Sequence, residues 1–482
     1  MHLKQIKSWI GLVIVVFVFN FILRINNPVI AQTIKAYNQI SFPPLKEVKI
    51  PSYERYELPN GMVIFLMEDH RLPEIKGTAI LKINSKSDPD NKIGLAKITG
   101  ELLRSGGTVH HSPEQLNEIL ENHAAAIESS IDIDSGKVNF LSLTPDFDDM
   151  FKLFAEVLRY PRFDLVQFDI LKSNLKGQIA RRNDNPSNLA NREFKKLIYG
   201  PYSPFARSEE LQTIDNITLQ DISDFYRQIG PERIILGLVG DFESNQVKLL
   251  IKKTLANWKK KENEPKKIYS ENLVQYSSGK IFKVEQNHLN QNTVLIGQLG
   301  GKFDSLDYPS LSVLNGVFNG FGGRFFNEIR SRQGLAYNVY GLWKANYNYP
   351  GFFVAGGQTR ATQTVPFIKA IKKEITRIIE NPISADELSY AKDSILNSFV
   401  FSFSKPSLIL NRLLNYEYFK YPIDFIFDYQ KSVKKVNSRD IQRVAREYLH
   451  PENMVTLIVG NTNNIQPPLQ VLEDQATDIQ IN

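Results

Sequence analysis

Two stretches of the chain hold residues whose types and spacing bear on chemistry. In the first, Gly94-Leu95-Ala96-Lys97-Ile98-Thr99-Gly100-Glu101, an ammonium and a carboxylate stand four residues apart. On a helix that spacing puts both on one face, where an exposed ion pair contributes about 0.3–0.5 kcal/mol. The stretch makes a poor metal site. A lysine ammonium repels a cation, glycine can neither ligate nor take a proton, and Glu101 alone does not hold catalytic zinc. The histidines are His2, His70, His110, His111, His123, His288 and His450. His111-Ser112-Pro113-Glu114 opens like a zinc motif, but Gln115 stands where a second imidazole is needed. It reads instead as a helix start, with Ser112 as N-cap, Pro113 in the first position and Glu114 in the first turn. The chain has no cysteine, which removes disulfides, thiolate nucleophiles and cysteine-based metal sites together.

The second stretch runs from Asn319-Gly320-Phe321-Gly322-Gly323-Arg324 through Arg330 to Gly334-Leu335-Ala336-Tyr337. Its glycines allow a tight turn and a close approach of backbone. No Gly-Lys-Ser/Thr follows them, so this is not a phosphate-binding loop. Arg330 taken alone suits a helix C-terminus, and Tyr337 alone suits a half-buried strand. The two stand seven residues apart around Gly334-Leu335-Ala336.

The elements that position these stretches occur twice. The first half opens with a hairpin signal, Asn60-Gly61 between alternating apolar residues, and closes on the apolar strand Ile234–Gly240. The second half closes the same way at Met454–Gly460. A helix precedes each closing strand, with Thr218 and Ser438 as expected N-caps, and a long amphipathic stretch lies upstream of each, at Leu165–Arg182 and Ala385–Phe403. The repeat is domain-sized, which means two copies of one domain rather than a solenoid. The expected boundaries are a leader at 1–31, a first domain at 45–258, a charged linker at 259–270, a second domain at 271–461 and a flexible tail at 462–482. The leader expectation rests on Lys4 and Lys7, the 14-residue apolar run Ile10–Leu23 and Val29-Ile30-Ala31. The run is shorter than a bilayer span, so a membrane role follows only if the leader is retained as an anchor. Removing it lowers the net charge from +6 to +3, and the cations form no long stripe, so nothing calls for nucleic acid. With 482 residues, 42% hydrophobic and 23% charged, the chain can build two sizeable cores.

From Tyr53 to Asn461 these pieces, in order, resemble the pitrilysin/insulinase-type zinc metallopeptidase family. In that family a Gly-x-Ala lead runs into His-x-x-Glu-His and closes on Gly-Thr, as Gly94-Leu95-Ala96 and Gly107-Thr108 do here. The frame is kept and the ligands are lost. The first histidine position is Lys97, the general-base position Gly100, the second histidine position Glu101, and the third-ligand position Gln178. The family's Arg and Tyr, which grip the substrate backbone, fall on Arg330 and Tyr337. The resemblance implies an α+β fold of two tandem homologous domains, each a β-sheet backed by helices, forming a half-shell. It implies a non-catalytic, substrate-binding subunit of a hetero-oligomeric zinc metalloendopeptidase, exported to the periplasm or cell envelope. The partner would be a zinc-motif-bearing homologue, with the zinc in that partner and none in this chain. The peptide would lie extended along a sheet edge. The alternative is a protease-inactive peptide- or protein-binding or structural subunit of an envelope complex.

Overall fold

Six segments of the first half form strands, β1 (Glu54–Glu57), β2 (Val63–Glu68), β3 (Glu74–Leu81), β4 (Ala126–Ile131), β5 (Gly136–Leu143) and β6 (Ile234–Gly240), of which β2, β3 and β6 carry the apolar runs that suit a buried sheet. Between and after them lie α1 (Leu95–Ser105), α2 (Pro113–Asn122), α3 (Phe147–Arg159), α4 (Leu165–Ala180), α5 (Pro186–Tyr199), α6 (Leu211–Asp215), α7 (Leu219–Tyr226) and α8 (Ser244–Leu255). The second half supplies β7 (Ile281–Glu285), β8 (Gln291–Leu299), β9 (Ala336–Lys344), β10 (Phe352–Arg360), β11 (Val455–Gly460) and β12 (Thr477–Asp478). Its helices are α9 (Tyr308–Phe318), a π-helix (Phe325–Arg332), α10 (Thr364–Glu380), α11 (Ala385–Phe399), α12 (Pro406–Phe419), α13 (Phe425–Lys435) and α14 (Ser438–Tyr448). The computed structural model describes residues 49–261, 273–472 and 475–481, so the expected leader and most of the expected linker lie outside the described residues.

The strands form two six-stranded mixed sheets, in the orders β1-β2-β6-β3-β5-β4 and β12-β7-β11-β8-β10-β9. From the second position onward the two sheets agree in order and sense. β2 and β6 are parallel, as are β7 and β11, and every later neighbour pair is antiparallel. The duplication read from the strand pattern is therefore a duplication of topology. The outermost strands differ: β1 is a local hairpin strand on β2, while β12 comes from the C-terminal tail and lies parallel to β7. Residues 462–482 are expected to be flexible; of these, the described residues 475–481 include β12 on the second sheet, and Ile465 and Leu469 are buried in the second core. The signal for loose order was polarity and two prolines. A few apolar side chains with a groove to fill outweigh it.

One face of each sheet carries helices. Ile64, Leu66, Ala79 and Leu236 meet Ile98, Leu102, Phe151 and Ile251 in the first core. Val294, Ile296, Ala355 and Ile458 meet Phe318, Ile368, Ile371 and Val444 in the second. The other faces are covered by an exchange of helices between the halves. From the first half, α5 lays Leu189, Phe194 and Ile198 on the second sheet. From the second half, α12 lays Ile409, Leu410, Leu413 and Leu414 on the first. A forked pair from Arg55 to Glu417 (3.0 and 2.7 Å) and a bond from Tyr418 Oη to the Asp134 carbonyl (2.7 Å) fasten the exchange. From Ile50 onward the chain is one compact unit.

Local signals hold with two adjustments. Thr218 and Ser112 cap their helices as expected. Asn437, not Ser438, caps α14, because its side chain accepts from two backbone N–H groups at once. The stretch from Leu165 is a helix but not an amphipathic one: Phe168 and Leu175 are buried, while Leu165, Val166 and Ile170 are exposed.

Candidate functional site

Gly94 stands at the N-cap of helix α1, and its left-handed φ of 105° lets the chain turn into the helix. Asp88 stands in for the missing cap. Its carboxylate accepts the Gly94 and Ala96 N–H groups at 3.0 and 3.1 Å, and burial pushes its pKa up to about 7. Arg207 holds the preceding loop by donating to the Asp88 and Lys86 carbonyls. On this helix Lys97 turns to Glu209, 3.8 Å away, rather than to Glu101. The ion pair expected between Lys97 and Glu101 is thus replaced by one across to the segment leading into α6, because a carboxylate from outside the helix reaches the ammonium first. Burial raises the Glu101 carboxyl, the Lys97 charge opposes this and Glu209 adds to it. A cleft of about 140 Å³ opens here, lined by Asp88, Lys97, Asp132, Arg207 and Glu209 among others.

Gly100 decides what this place can hold. A Cβ on Gly100 would lie 2.3 Å from the Ile131 nitrogen and 2.7 Å from the Ser130 carbonyl carbon. The helix backbone rests on the backbone of β4. Ser129 locks the contact, its hydroxyl donating to the Gly100 carbonyl (2.6 Å) and accepting from the Arg104 N–H (3.1 Å). Arg104 Nε also donates to the Ile127 carbonyl (3.1 Å). The space a general base would need is occupied by a strand. Gln178 sits exposed on α4, which packs against α1. Among the described residues, no three His, Cys, Asp or Glu side chains are grouped to hold a metal ion. The residues that are present do not fit zinc: an ammonium, a glycine backbone in contact with a strand and an amide replace the donors it needs.

The second stretch builds a different surface. Gly320, at a φ of 76°, and Gly322 let the loop sit on Tyr390 of α11; a Cβ at Gly320 would meet the Tyr390 hydroxyl at 2.3 Å. Arg324 anchors the loop's end with a forked pair to Glu387 (2.5 and 3.1 Å). The chain then winds as a π-helix, a form often found at functional sites, and Gly334 (φ 62°) turns it into β9. Arg330 lies close to two rings, with its guanidinium carbon 4.8 Å from the Phe326 centroid and 4.8 Å from that of Tyr337, within cation–π reach of both. Arg330 meets no acceptor among the described residues, and Tyr337 is 79% exposed. Phe321, 80% exposed, extends the stack edge-to-face onto Phe326 at 5.0 Å.

Arg330 and Tyr337 are thus brought together, and Lys97, Gly100 and Glu101 share α1, but no hydrogen bond, ion pair or ring contact joins the two groups among the described residues. Asp88, Glu209 and Tyr390 were not legible as members of either place, since each arrives from a distant segment. Phe326, four residues before Arg330, could have been found from helical spacing.

Residues 76–200 match the family described as Insulinase (Peptidase family M16), and residues 216–395 match the Peptidase M16 inactive domain. Together the two stretches span more than half of the chain. The chain belongs to the M16 peptidase family. Among relatives in Helicobacter pylori, one named non-peptidase homolog YmxG is 23% identical over 77% of this chain and 85% of its own length. Another, named zinc protease PqqE, is 21% identical over 85% and 93%. The crystal structure of a peptidase M16 inactive domain from Pseudomonas fluorescens superposes with a TM-score of 0.76 at 22% identity, covering 86% of this chain and 99% of that one. The likeness establishes the fold: two sheets, each backed by helices.

Proposed function

We propose that this chain is the zinc-free, substrate-binding subunit of a two-chain M16 endopeptidase, whose zinc sits in a homologous partner carrying His-x-x-Glu-His. The observation that carries this reading is Arg330: a guanidinium set against the rings of Phe326 and Tyr337, with no hydrogen-bond acceptor or ion-pair partner among the described residues. Such a group is pre-organised to fork onto the carbonyl of a bound peptide, and the Tyr337 phenol beside it can donate to the oxygen that gains charge as the amide is attacked. In this chain α1 lacks the set needed to activate water, because Lys97 and Gly100 offer neither a ligand nor a base and Glu101 alone does not hold catalytic zinc. The pairing is supported by relatives in one organism, one named as a non-peptidase homolog and one as a zinc protease. The apolar leader supports export to the periplasm or envelope. No helix among the described residues is long and apolar enough to cross a membrane.

The test is cleavage of a fluorogenic peptide library by the mature chain, alone and mixed with its closest zinc-motif homologue, with and without chelator. Activity is expected only in the mixture and only without chelator. Arg330→Ala or Tyr337→Ala should lower it about 10²–10³-fold, the usual loss for one oxyanion donor. Arg330→Lys should not rescue it, since a lysine ammonium lacks the planar fork. Silence in every mixture would transfer the chain to the class of peptide-binding or structural subunits.

A further inference from the structure

Helix α4 leaves exposed what an amphipathic helix would bury. Leu165 and Val166, in its first turn, are 58% and 63% exposed. Val109 is 65% exposed and stands on the segment beside them. The Val109 N–H donates to the Tyr160 carbonyl (2.9 Å), the Arg162 N–H to the Gly107 carbonyl (3.0 Å) and the Asp164 N–H to the Gly106 carbonyl (3.3 Å). Single exposed apolar side chains are ordinary, but a group of them on adjoining segments marks a contact surface. Against this group lies a basic cluster. From Ser244 to Lys261 the chain has six lysines and no acid. Lys248 is taken by Glu54. The other five, Lys252, Lys253 and Lys259–Lys261, are exposed and meet no carboxylate among the described residues. Lys252 and Lys253 suit the negative end of α8, but Lys259–Lys261 lie beyond it. Arg159 joins the two groups. It donates to the Thr254 carbonyl in the last turn of α8, and its guanidinium carbon lies 4.9 Å from the Tyr160 centroid and 5.8 Å from that of Trp258. Two neighbouring acids are engaged elsewhere, Glu156 with Thr108 and His111, and Asp164 as the cap of α4.

We propose that this surface docks on a lipid bilayer bearing anionic headgroups. The lysines meet the headgroup phosphates, Val109, Leu165 and Val166 enter the apolar boundary, and the Tyr160 ring lies at the level between. The chemistry of the cluster favours lipid over protein. Lysine is depleted at protein–protein interfaces, where arginine and aromatic residues are enriched. An ammonium is a point charge without a fixed fork, which suits headgroups that keep no fixed arrangement. Such docking needs no membrane-spanning helix, and none occurs among the described residues. Val166 lies about 18 Å along α4 from Gln178, further than the roughly 5–10 Å to which interfacial side chains enter a bilayer. The fold thus gathers cations and apolar side chains from distant segments into a membrane contact that does not depend on the leader. Arg330 and Tyr337 take no part in it, so the substrate reading stands or falls separately.

The experiment is co-sedimentation of the mature chain, which lacks the apolar leader, with vesicles of two parts phosphatidylcholine to one part phosphatidylglycerol, and with vesicles of phosphatidylcholine alone. Binding is expected to the anionic vesicles only, and it should fall steeply as salt is added. Lys259→Gln, Lys260→Gln and Lys261→Gln together should weaken it about 100-fold, roughly fivefold for each lysine. Leu165→Ser with Val166→Ser should weaken it about tenfold. Both variants should melt with the parent, because the replaced side chains are exposed. No binding to the anionic vesicles, equal binding to both kinds, or unchanged binding in either variant overturns the proposal. Polyglutamate that binds the chain as tightly as the vesicles do, charge for charge, assigns the surface to an acidic protein and refutes it too. If a variant melts early, Lys252→Gln with Lys253→Gln, or Val109→Ser, takes its place.

Discussion

Replacing Gly100 with alanine tests whether the lost metal site is closed by packing or only by substitution. The added Cβ would sit 2.3 Å from the Ile131 nitrogen and 2.7 Å from the Ser130 carbonyl carbon, where ordinary contact begins near 3.4 Å. Both neighbours are backbone atoms of β4, so no side chain can swing aside, and α1 must retreat by about 1 Å. Overpacking of this kind costs about 1–3 kcal/mol. The retreat also stretches the Ser129 and Arg104 bonds to the helix and strand carbonyls, each contributing about 1 kcal/mol. Against this stands a gain of roughly 1 kcal/mol from replacing glycine inside a helix. The expected net is a loss of about 2–3 kcal/mol. Gly177 on α4 is the control: a Cβ there meets nothing nearer than the Arg181 guanidinium at 3.8 Å, so Gly177→Ala should stabilise by about 0.5–1 kcal/mol. Urea denaturation gives both numbers from the shift in midpoint at unchanged slope. A Gly100→Ala protein within about 0.5 kcal/mol of the parent would refute the packing argument. If the argument holds, restoring Lys97→His, Gly100→Glu, Glu101→His and Gln178→Glu together will not yield a zinc enzyme, because the base has no room.

Two further outcomes are expected. Asn319→Ala leaves the N–H and carbonyl of buried Gly341 without their partner and should cost about 1–3 kcal/mol, measured by the same denaturation; a neutral result would mean that water replaces the amide. Asp88 sets a pH dependence. Its pKa, raised to about 7, exceeds the unfolded value, so between about pH 4 and pH 7 the folded chain binds the extra proton. Stability should therefore fall as pH rises through this window, by up to about 4 kcal/mol, despite the opposing attraction of Arg207, and then level off for this group. In Asp88→Asn that part of the slope should vanish, which melting temperatures between about pH 5 and pH 8 would show.

Much was legible in the sequence because it depends on neighbours along the chain. The strand runs at Ile234–Gly240 and Met454–Gly460 and the caps at Ser112 and Thr218 rest on local periodicity or on side-chain chemistry within a few residues, while the pairing of Arg330 with Tyr337 was implied by the family resemblance. The loss of the two-histidine, one-glutamate pattern at Lys97, Gly100 and Glu101 is of the same kind, since donor chemistry is a property of the side chain and needs no fold to be judged. Other features required contacts between segments far apart. The partner of Lys97 is Glu209, and only the fold brings a loop more than a hundred residues away within reach. The tail became β12 because β7 offered an unpaired edge, and α5 and α12 crossed to each other's sheets because each sheet had an apolar face left uncovered. The consequence of Gly100 reverses with the fold: in the sequence it is a missing base, while in the structure it is the point where helix and strand backbones touch. Residue identity settles which chemistry is possible. Tertiary packing settles whether there is room for it, because distance and excluded volume belong to the folded chain and not to the order of its residues.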